Sequence, residues 1–455
     1  MKPQSTTTLS EHRRAYNIVS AYDRMAEQLR STLASQQRHA KTRAIRLTVS
    51  VKDAEPLQWL QAQTVHPRMY WADRLGQSEI AAVGIAHRWN EGLPEPDNLL
   101  NPDFPELRYY GGMRFDRKAP SEEMWSDFGA TSLVIPRFEL VKCREKTDFV
   151  CNLIPGNDSG QVNDILNQLE KLKTVIQPTS TEFPGLLDRE DIPNQTAWEE
   201  KVRQTLDELR QGSLKKIVLA RKTELRFDNS VNPVSLLQSL NTPGCFRFLW
   251  EPRPGLAFVS VSPERLYRRN GHRIECEALA GTCPRSRVAA DDNRLGMELL
   301  NSDKEKREHS FVTDAIRESL STLCDKVRGG DNVTIMKLSR LQHLMTSFTS
   351  ELRKGISDQK IIEHLHPTPA VAGFPVDQAC HRIATLEPFD RGWYAGPIGW
   401  IGSGQAEFAV GIRSALVRGD KLCLYSGAGI VDGSDPKKEW EETENKMGQF
   451  LALFS

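Results

Sequence analysis

The stretch that decides the fold is Leu422-Cys-Leu-Tyr-Ser-Gly427-Ala-Gly429-Ile-Val-Asp-Gly433-Ser-Asp435-Pro436, continued by Lys-Lys-Glu439-Trp-Glu-Glu442-Thr-Glu-Asn-Lys446. It predicts a strand, a glycine turn and a helix, because Asp435 suits the helix N-cap and Pro436 suits its first turn. Glu439, Glu442 and Lys446 share one edge of that helix, close to the glycines. Carboxylates, an ammonium and bare backbone amides then converge, which suits an anionic ligand held with a hard cation. The alternative is an ordinary Glu–Lys pair on a solvated helix surface.

The composition of the chain excludes several classes of protein. Its 455 residues include 60 Lys+Arg and 60 Asp+Glu, so the net charge is zero and no global field would recruit nucleic acid or a membrane. The eight cysteines are scattered without a CxxC pair, which disfavours a zinc module and indicates a reducing compartment. No apolar run approaches the roughly 18 residues of a membrane span, and the first residues lack the apolar segment of a secretory signal. We expect a cytoplasmic enzyme.

The chain divides into two parts with different patterns. After a helix predicted over residues 10–38, short β-rich runs separated by Gly, Pro, Asn and Asp fill the first part. We therefore expect an N-terminal β-rich scaffold part (1–176), a polar, Pro-bearing linker (177–195) and a catalytic part (196–455), with both parts forming one compact unit. Mixed strands and helices indicate an α+β, sandwich-like fold with large, mostly antiparallel sheets and helices packed outside.

Two short motifs of the catalytic part predict where elements begin and turn. Thr196-Ala-Trp-Glu199 is a capping box that would open a helix. Asn270-Gly271 predicts a hairpin with a type I′ turn, because both residues tolerate positive φ.

A long helix predicted over residues 303–327 carries two carboxylates on its apolar side. At 100° per residue, Glu305 and Glu308 fall on the face that should point to the core. Buried carboxylates are neutralised, paired or coordinated to metal, because an unpaired buried charge is costly. With Glu442 from the C-terminal helix, they are candidate Mg²⁺ ligands. The alternative is that a neighbouring lysine or arginine reaches over to pair with them.

The strand predicted from Leu214 to Arg221 has aliphatic side chains on both faces, which indicates burial on both sides. By alternation, Lys216 lies on one face and Lys215 on the other. At least one of them must be desolvated, and a desolvated amine is a candidate general base. The alternative is an edge-strand lysine that reaches solvent.

Two further polar residues stand beside small or apolar neighbours. Glu264 follows a strand, and a carboxyl kept protonated by apolar surroundings can serve as a general acid. Arg413 is predicted to lie in a strand beside Gly411 and Ala415, where small neighbours leave room for a carboxylate under the guanidinium. The spacing GxGxxxG after Gly427, without a following Lys-Ser/Thr, disfavours a P-loop nucleotide site.

Together these residues resemble the chorismate-utilising enzymes, whose motifs recur in the family's order over residues 195–455. Within that family the sequence is most similar to the isochorismate synthases. Three N-terminal motifs, Tyr70-Trp-Ala-Asp-Arg74, Tyr109-Tyr-Gly-Gly112 and Leu133-Val-Ile-Pro136, resemble the menaquinone-pathway type more loosely. The motifs of the catalytic part are Lys216-Ile-Val-Leu-Ala-Arg221, Ser262-Pro-Glu264, Leu279-Ala-Gly-Thr282, Glu308-His309, His366-Pro-Thr-Pro-Ala-Val-Ala-Gly-Phe-Pro375, Arg413 and the C-terminal stretch quoted above.

The resemblance implies an isomerase that converts chorismate to isochorismate with Mg²⁺, by water addition at C2 and loss of the C4 hydroxyl. It implies Lys216 as the base that activates water and Glu264 as the acid that protonates the departing hydroxyl. The implied metal ligands are Glu308 and Glu442, supported by Glu305 and Glu439. The implied substrate contacts are His343, Tyr394, Arg413, Gly427, Gly429, Lys446, Gly281 and Thr282. The site would lie in a cleft between two sheets, with chorismate as the only expected partner, no nucleic acid, no membrane, and either a monomer or a homodimer.

The main alternative is a salicylate synthase, which makes isochorismate and then expels pyruvate. Such enzymes tend to carry Thr at the position of Ala372, which favours the isochorismate synthase. Anthranilate synthases carry Gln at the position of Lys216, and aminodeoxychorismate synthases carry a nucleophilic Lys at the position of Ala280. Two alternatives lie outside the family. The sequence has no P-loop, which disfavours a nucleotide-binding enzyme. Carboxylates on an apolar helix face have no evident purpose in a β-rich interaction protein, which disfavours that class.

Overall fold

The computed structural model describes residues 15–36, 44–94, 100, 104–158, 161–174, 183–212, 214–240 and 242–454. The strands within these ranges are β1 (Ile45–Val51), β2 (Arg68–Ala72), β3 (Ser78–Trp89), β4 (Arg108–Met113), β5 (Thr131–Cys143), β6 (Lys146–Leu153), β7 (Leu186–Ile192), β8 (Lys216–Phe227), β9 (Phe246–Arg253), β10 (Leu256–Ser262), β11 (Arg265–Asn270), β12 (Arg273–Pro284), β13 (Thr334–Lys337), β14 (Leu341–Glu351), β15 (Gly373–Phe374), β16 (Pro397–Gly402), β17 (Gln405–Val410), β18 (Ser414–Arg418) and β19 (Lys421–Val431).

The α-helices of the same ranges lie between and after these strands. They are α1 (Ile18–Gln36), α2 (Pro56–Ala62), α3 (Pro155–Asp158), α4 (Val162–Glu170), α5 (Gln195–Arg210), α6 (Pro233–Ser239), α7 (Ala289–Asn301), α8 (Asp303–Leu323), α9 (Asp358–Leu365), α10 (Val376–Leu386) and α11 (Pro436–Leu451). None of these helices combines the length and the apolar character that crossing a membrane would require.

All pairings between the named strands are antiparallel and join them in one hydrogen-bonded network. The branch point is β5, which pairs with β3, β4 and β6. One branch runs from β3 through β2, β9, β10, β18 and β19 to β8. The other runs from β4 through β16, β17, β11 and β12 to β14. The expected fold class is confirmed, but the two separate sheets are in fact two branches of one sheet.

Helix α8 positions the site, because it contacts both β12 on one branch and β19 on the other. Helix α11 packs on β19 and against α5. The N-cap predicted for α11 is confirmed: the Asp435 side chain accepts hydrogen bonds from the amides of Lys437 and Lys438. Side chains on α8 and α11 therefore face a common space between the two branches.

Several boundaries differ from those predicted. Helix α1 begins at Ile18 rather than near residue 10, and residues 10–14 and 37–38 lie outside the described ranges. The N-cap of α5 is Asn194, whose side chain accepts from the Ala197 amide, so the capping box at Thr196 was wrong. In the β11–β12 hairpin Gly271 has a φ of +60° while Asn270 keeps a negative φ. Gly271 is therefore the first central residue of a II′-type turn, not the second of a type I′ turn.

The stretch 177–195, predicted to be a linker, contains the strand β7, which pairs with β8. Its residues are exposed or half-buried, so no alternation of polar and apolar side chains marks it in the sequence. Residues 177–182 lie outside the described ranges. The β-rich N-terminal strands join the rest directly, since β2 pairs with β9 and β4 with β16.

The glycine turn predicted at Gly427 and Gly429 was wrong. Both residues lie inside β19, opposite Ala220 and Val218 of β8, and neither has a positive φ. The chain turns only at Gly433, whose φ is +89°. The two glycines must therefore be explained by the space they leave rather than by backbone freedom.

Candidate active site

A single pocket between the two branches brings most of the predicted site residues together. Three predicted residues do not line it: Lys216 contacts Glu308 and Glu305 contacts Thr282, both in the lining. The third, Glu439, pairs with Lys304, which is not part of the lining. The predicted residues that line the pocket are Glu264, Gly281, Thr282, Glu308, His343, Tyr394, Arg413, Gly427, Gly429, Glu442 and Lys446.

Lys216 is fully buried at the start of β8, whereas Lys215 is exposed, so the predicted strand faces are confirmed. Its ammonium nitrogen lies 3.1 Å from Oε1 of Glu308 on α8, within ion-pair distance. It has no hydrogen-bond partner in the described part of the chain. Burial opposes ionisation of Glu308, but Lys216 and Lys446 hold its pKa below the ordinary value.

Gly429 makes the contact between Lys216 and Glu308 possible. A Cβ added at this position would lie 2.5 Å from Glu308 Oε1 and 3.0 Å from Lys216 Cε. Any side chain at position 429 would therefore displace the ion pair.

Glu264 lies between β10 and β11 and is only 4% exposed. Burial raises its pKa to about 8, against the opposing charges of Lys216 and Lys446. Its backbone is fixed: its amide donates to Ser262 Oγ at 3.2 Å, and its carbonyl accepts from the Val410 amide at 3.0 Å. A carboxyl that stays protonated near neutral pH is suited to donate a proton, as the sequence predicted.

Arg413 and His343 form a hydrogen-bonded pair in the opposite wall. Nη2 of Arg413 donates to Nε2 of His343 at 2.7 Å. Because a guanidinium only donates, Nδ1 of the neutral imidazole carries the hydrogen and faces Thr282 Oγ1 at 3.1 Å. Burial and the charges of Arg413 and Lys446 lower the pKa of His343 well below its ordinary value. No carboxylate among the described residues forms an ion pair with Arg413.

The backbone of Arg413 is not in a strand, so that prediction was wrong. Arg413 lies between β17 and β18 with a φ of +47°, a conformation that non-glycine residues rarely adopt. Ser260 Oγ donates to the Ile412 carbonyl at 2.8 Å, and the Val261 amide donates to the Arg413 carbonyl at 3.1 Å. These contacts with β10 hold the strained turn that directs the guanidinium into the pocket.

The polar backbone groups of Gly427 and Gly429 face away from β8. Opposite them, Val218 and Ala220 donate their amides to partners on the far side of β8. In an antiparallel pair, residues opposite such positions also point outward. The pairing of β19 with β18 ends before the glycines, and the Gly427 carbonyl accepts from Lys446 Nζ at 2.9 Å. The bare amides predicted from the sequence are therefore present, but on a strand.

The position of Tyr394 requires a glycine at position 427. A Cβ added at Gly427 would lie 2.9 Å from the Tyr394 hydroxyl oxygen. The Tyr394 ring stacks on that of Tyr425, with centroids 5.4 Å apart and planes at 19°. Burial raises the pKa of Tyr394 to about 12, so its hydroxyl is a neutral donor.

Sequence reasoning missed Tyr425 and Ser426, which also line the pocket. Their buried hydroxyl groups have no hydrogen-bond partner among the described residues. The available signal was their position directly before Gly427, in the strand that carries the glycines.

The four carboxylates predicted as metal ligands lie on α8 and α11, and three of them pair closely with lysines. Glu308 pairs with Lys216, Lys446 Nζ lies 2.6 Å from Glu442 Oε1, and Lys304 Nζ lies 2.8 Å from Glu439 Oε1. Within the described ranges, no three His, Cys, Asp or Glu side chains converge closely enough to hold a metal ion.

Glu305 differs from the other three carboxylates, because its lysine contact among the described residues is longer. Lys304 Nζ is 3.9 Å away, and the Thr282 amide donates to Glu305 Oε2 at 3.2 Å. Burial and the charges of Glu308 and Glu442 raise its pKa to about 7. Gly281 allows this approach: it has a φ of +81° at a bulge where β12 shifts register against β14.

The remaining wall of the pocket is apolar, with Ala370 and Val371 contributing from the His366–Pro375 motif. Ala372 does not line the pocket; it is fully buried, and its carbonyl accepts from the Val218 amide at 2.8 Å. Ala372 was used above to distinguish an isochorismate synthase from a salicylate synthase. Its position means that this residue would not contact a ligand in the pocket directly.

The chain matches known proteins over most of its length. Residues 27–455 match the family described as chorismate binding enzyme. The chain is 33% identical to isochorismate synthase MenF from Escherichia coli (strain K12) over 90% of its own length and 93% of that relative. It is also 33% identical to the chloroplastic isochorismate synthase of Catharanthus roseus, over 78% of its length, and spans 63% of that plant protein.

The fold matches a solved structure of the same kind. The menaquinone-specific isochorismate synthase MenF from Escherichia coli superposes with a TM-score of 0.84 at 30% identity, covering 96% of this chain and all of that one. With the pocket residues described above, these matches establish that the chain belongs to the chorismate-binding enzyme family.

Proposed function

We propose that this protein is an isochorismate synthase, which adds water at C2 of chorismate and expels the C4 hydroxyl group to give isochorismate. The observation that carries the proposal is the pocket itself. It joins a buried base candidate, a protonated acid candidate and a guanidinium with no carboxylate partner among the described residues. The likeness to the MenF isochorismate synthases supports the same reaction.

Proton transfer is assigned to Lys216 and Glu264. Lys216 has no partner with hydrogen-bond geometry among the described residues, so its side-chain nitrogen is available to a ligand or a water molecule. In its neutral form it takes the proton of the attacking water. Glu264 keeps its proton at neutral pH and can give it to the departing hydroxyl.

Binding of the substrate carboxylates is assigned to the groups opposite. Arg413 offers a buried guanidinium fixed by His343, and a guanidinium can hold a carboxylate through two hydrogen bonds. The outward amides of Gly427 and Gly429 and the ammonium of Lys446 supply further donors. Tyr394, Gly281 and Thr282 complete the contacts.

A Mg²⁺ ion would be held by Glu308 and Glu442, with Glu305 and Glu439 in support. The donor set fits a hard cation, because it consists of carboxylates alone and because Glu308 and Glu442 both add negative charge next to the largely buried Glu305. When bound, the ion would supply positive charge for a substrate carboxylate. We expect the isomerisation to require it.

The alternative salicylate synthase would expel pyruvate from isochorismate. That step needs the enolpyruvyl group held for proton transfer from C2. The segment at Ala370 and Val371 offers only apolar side chains to the pocket. We therefore expect the reaction to stop at isochorismate.

The experiment is an assay of purified protein with chorismate and Mg²⁺, with products identified by chromatography. Reactions started from chorismate and from isochorismate should drift to the same ratio of the two, and excess EDTA should stop both. Salicylate and pyruvate appearing together would establish the alternative. No conversion of chorismate in either direction would refute the proposed function.

The organisation and location of the protein are proposed on separate grounds. We infer that parts 1–176 and 196–455 act as one unit, which the β2–β9 and β4–β16 pairings support. The eight cysteines are free thiols, which supports a cytoplasmic location. The resemblance to MenF supports a place in menaquinone biosynthesis.

A further inference from the structure

Lys304 occupies an unusual position among the acidic side chains of the site. Its ammonium nitrogen lies 2.8 Å from Glu439 Oε1 and 3.9 Å from Glu305 Oε1, on two different helices. The Glu439 side chain is 2% exposed, whereas that of Lys304 is 34% exposed. A cation from the solvent side thus neutralises a carboxylate that water hardly reaches.

The other two lysines of the group have additional structural roles. Lys216 is fully buried beneath Gly429, and Lys446 also donates to the Gly427 carbonyl. The ammonium contacts described for Lys304 are both with carboxylates of the proposed metal site. Its position is therefore that of a counter-ion.

We propose that Lys304 is the built-in counter-ion of the metal site and that a divalent cation must compete with its ammonium for Glu439 and Glu305. This inference rests on the metal site of the proposed function. Two cations beside the same carboxylates repel each other, and the repulsion is strong where water is scarce. Lys304 therefore keeps the acidic cluster stable without metal and weakens metal binding in return.

Because metal binding and folding are linked equilibria, replacing Lys304 should change both the stability of the metal-free protein and its affinity for a divalent cation. Without Lys304, no cation among the described residues lies within ion-pair distance of the buried Glu439, so the metal-free protein should melt at a lower temperature. The same protein should bind a divalent cation more tightly, because the competing ammonium is gone. Added cation should therefore raise its melting temperature more than that of the wild type.

The test uses Mn²⁺ alone, whose free aquo ion is counted directly by electron paramagnetic resonance. Full-length wild type, Lys304→Met and Lys306→Met are titrated without substrate. Lys306 is exposed on the same helix and serves as the matched control. We expect Lys304→Met to bind Mn²⁺ about tenfold more tightly than wild type, from removal of one nearby charge. Lys306→Met should bind as wild type does.

A second variant covers the case in which Lys304→Met does not fold. Lys304→Gln removes the charge but keeps a donor toward Glu439, and it should tighten Mn²⁺ binding in the same direction. Equal or weaker binding in the folded variants would overturn the role of Lys304 while leaving the metal site in place. Absence of Mn²⁺ binding to the wild type would instead refute the metal site of the proposed function, and this inference with it.

Discussion

The ammonium of Lys216 lies 3.1 Å from the carboxylate of Glu308, and this ion pair joins the proposed base to a proposed metal ligand. The two residues come from different elements, β8 and α8, which meet only because α8 contacts both branches of the sheet. The charges of Lys216 and Lys446 hold the pKa of the half-buried Glu308 below its ordinary value, so this carboxylate stays ionised. Any change in the pair should therefore affect proton transfer and metal binding together.

Replacing Lys216 by Ala should lower kcat by roughly 10²–10⁴, the usual contribution of general acid–base catalysis. The physical reason is the loss of the proposed base, the buried lysine at the start of β8 whose ammonium lies 3.1 Å from Glu308. The measurement is kcat for isochorismate formation, with circular dichroism to check the fold. Lys215→Ala is the matched control, because Lys215 is adjacent and exposed. Loss of activity in Lys215→Ala with activity kept in Lys216→Ala would reverse the assignment.

Gly429→Ala should lower kcat by about 10², since misplacing a catalytic group by about 1 Å can cost that much. The added Cβ would stand 2.5 Å from Glu308 Oε1, so the ion pair with Lys216 must open. Gly448→Ala is the control: there the nearest atom is the end of the Arg340 side chain at 3.0 Å, which can move away. Wild-type kinetics in Gly429→Ala would mean that the pair tolerates displacement.

The burial of Lys216 and the cap of α11 could be predicted because both follow from local patterns. Alternation along β8, with aliphatic residues on both faces, requires a buried lysine whatever lies around it. Asp435 before Pro436 marks a helix start in any setting. The acidic face of α8 followed from helical periodicity in the same way.

The role of the two glycines could not be predicted, because its cause lies far away in the sequence. Gly429 makes room for Glu308 and Gly427 makes room for Tyr394, and neither neighbour is visible from the local sequence. The residues next to the glycines in the sequence indicate only a turn, because glycine readily adopts turn conformations. The strand β7 and the pairing of β2 with β9 were missed for the same reason, since long-range contacts define them.

Arg221→Met should lower the free energy of unfolding by about 2 kcal/mol, because it removes charged hydrogen bonds to the half-buried Asp191 and Glu444, which then keep Arg189 as their cation. Arg221 is fully buried and donates to Thr443 at 2.7 Å, to Asp191 at 2.7 Å and to Glu444. Its guanidinium carbon also lies 3.8 Å from the centroid of the Trp440 ring. These contacts fix α11 on β8, and with it Glu442 and Lys446.

The measurement for Arg221→Met is chemical denaturation, together with KM for chorismate. Arg226→Met, on the same strand but exposed, is the control and should change neither quantity. A loss of stability with KM unchanged would show that α11 keeps its place without Arg221. Unchanged stability would contradict the anchoring role itself.

The pH profile of activity should follow the proton on Glu264. Burial raises the pKa of this carboxyl from 4.5 to about 8, so the acid form required for catalysis is lost as the pH rises through about 8. We expect kcat/KM to fall above that pH. In Glu264→Gln the remaining activity should be low and should lack this alkaline limb, whereas Glu275→Gln, a half-buried carboxyl on β12, should keep it.

The Glu264 carboxyl should also affect how the free energy of unfolding depends on pH. The direction of this effect is opposite to that of an ion-paired acid. Between pH 4.5 and about 8 the folded protein holds the Glu264 proton and the unfolded chain releases it. The free energy of unfolding should therefore decrease with rising pH across this window and level off above it, as far as this group is concerned. Glu264→Gln keeps a neutral side chain at every pH, so its stability should decrease less steeply over the same window. If the wild type and Glu264→Gln show parallel profiles from pH 5 to 8, Glu264 is ionised in the folded protein and cannot be the acid that protonates the departing hydroxyl.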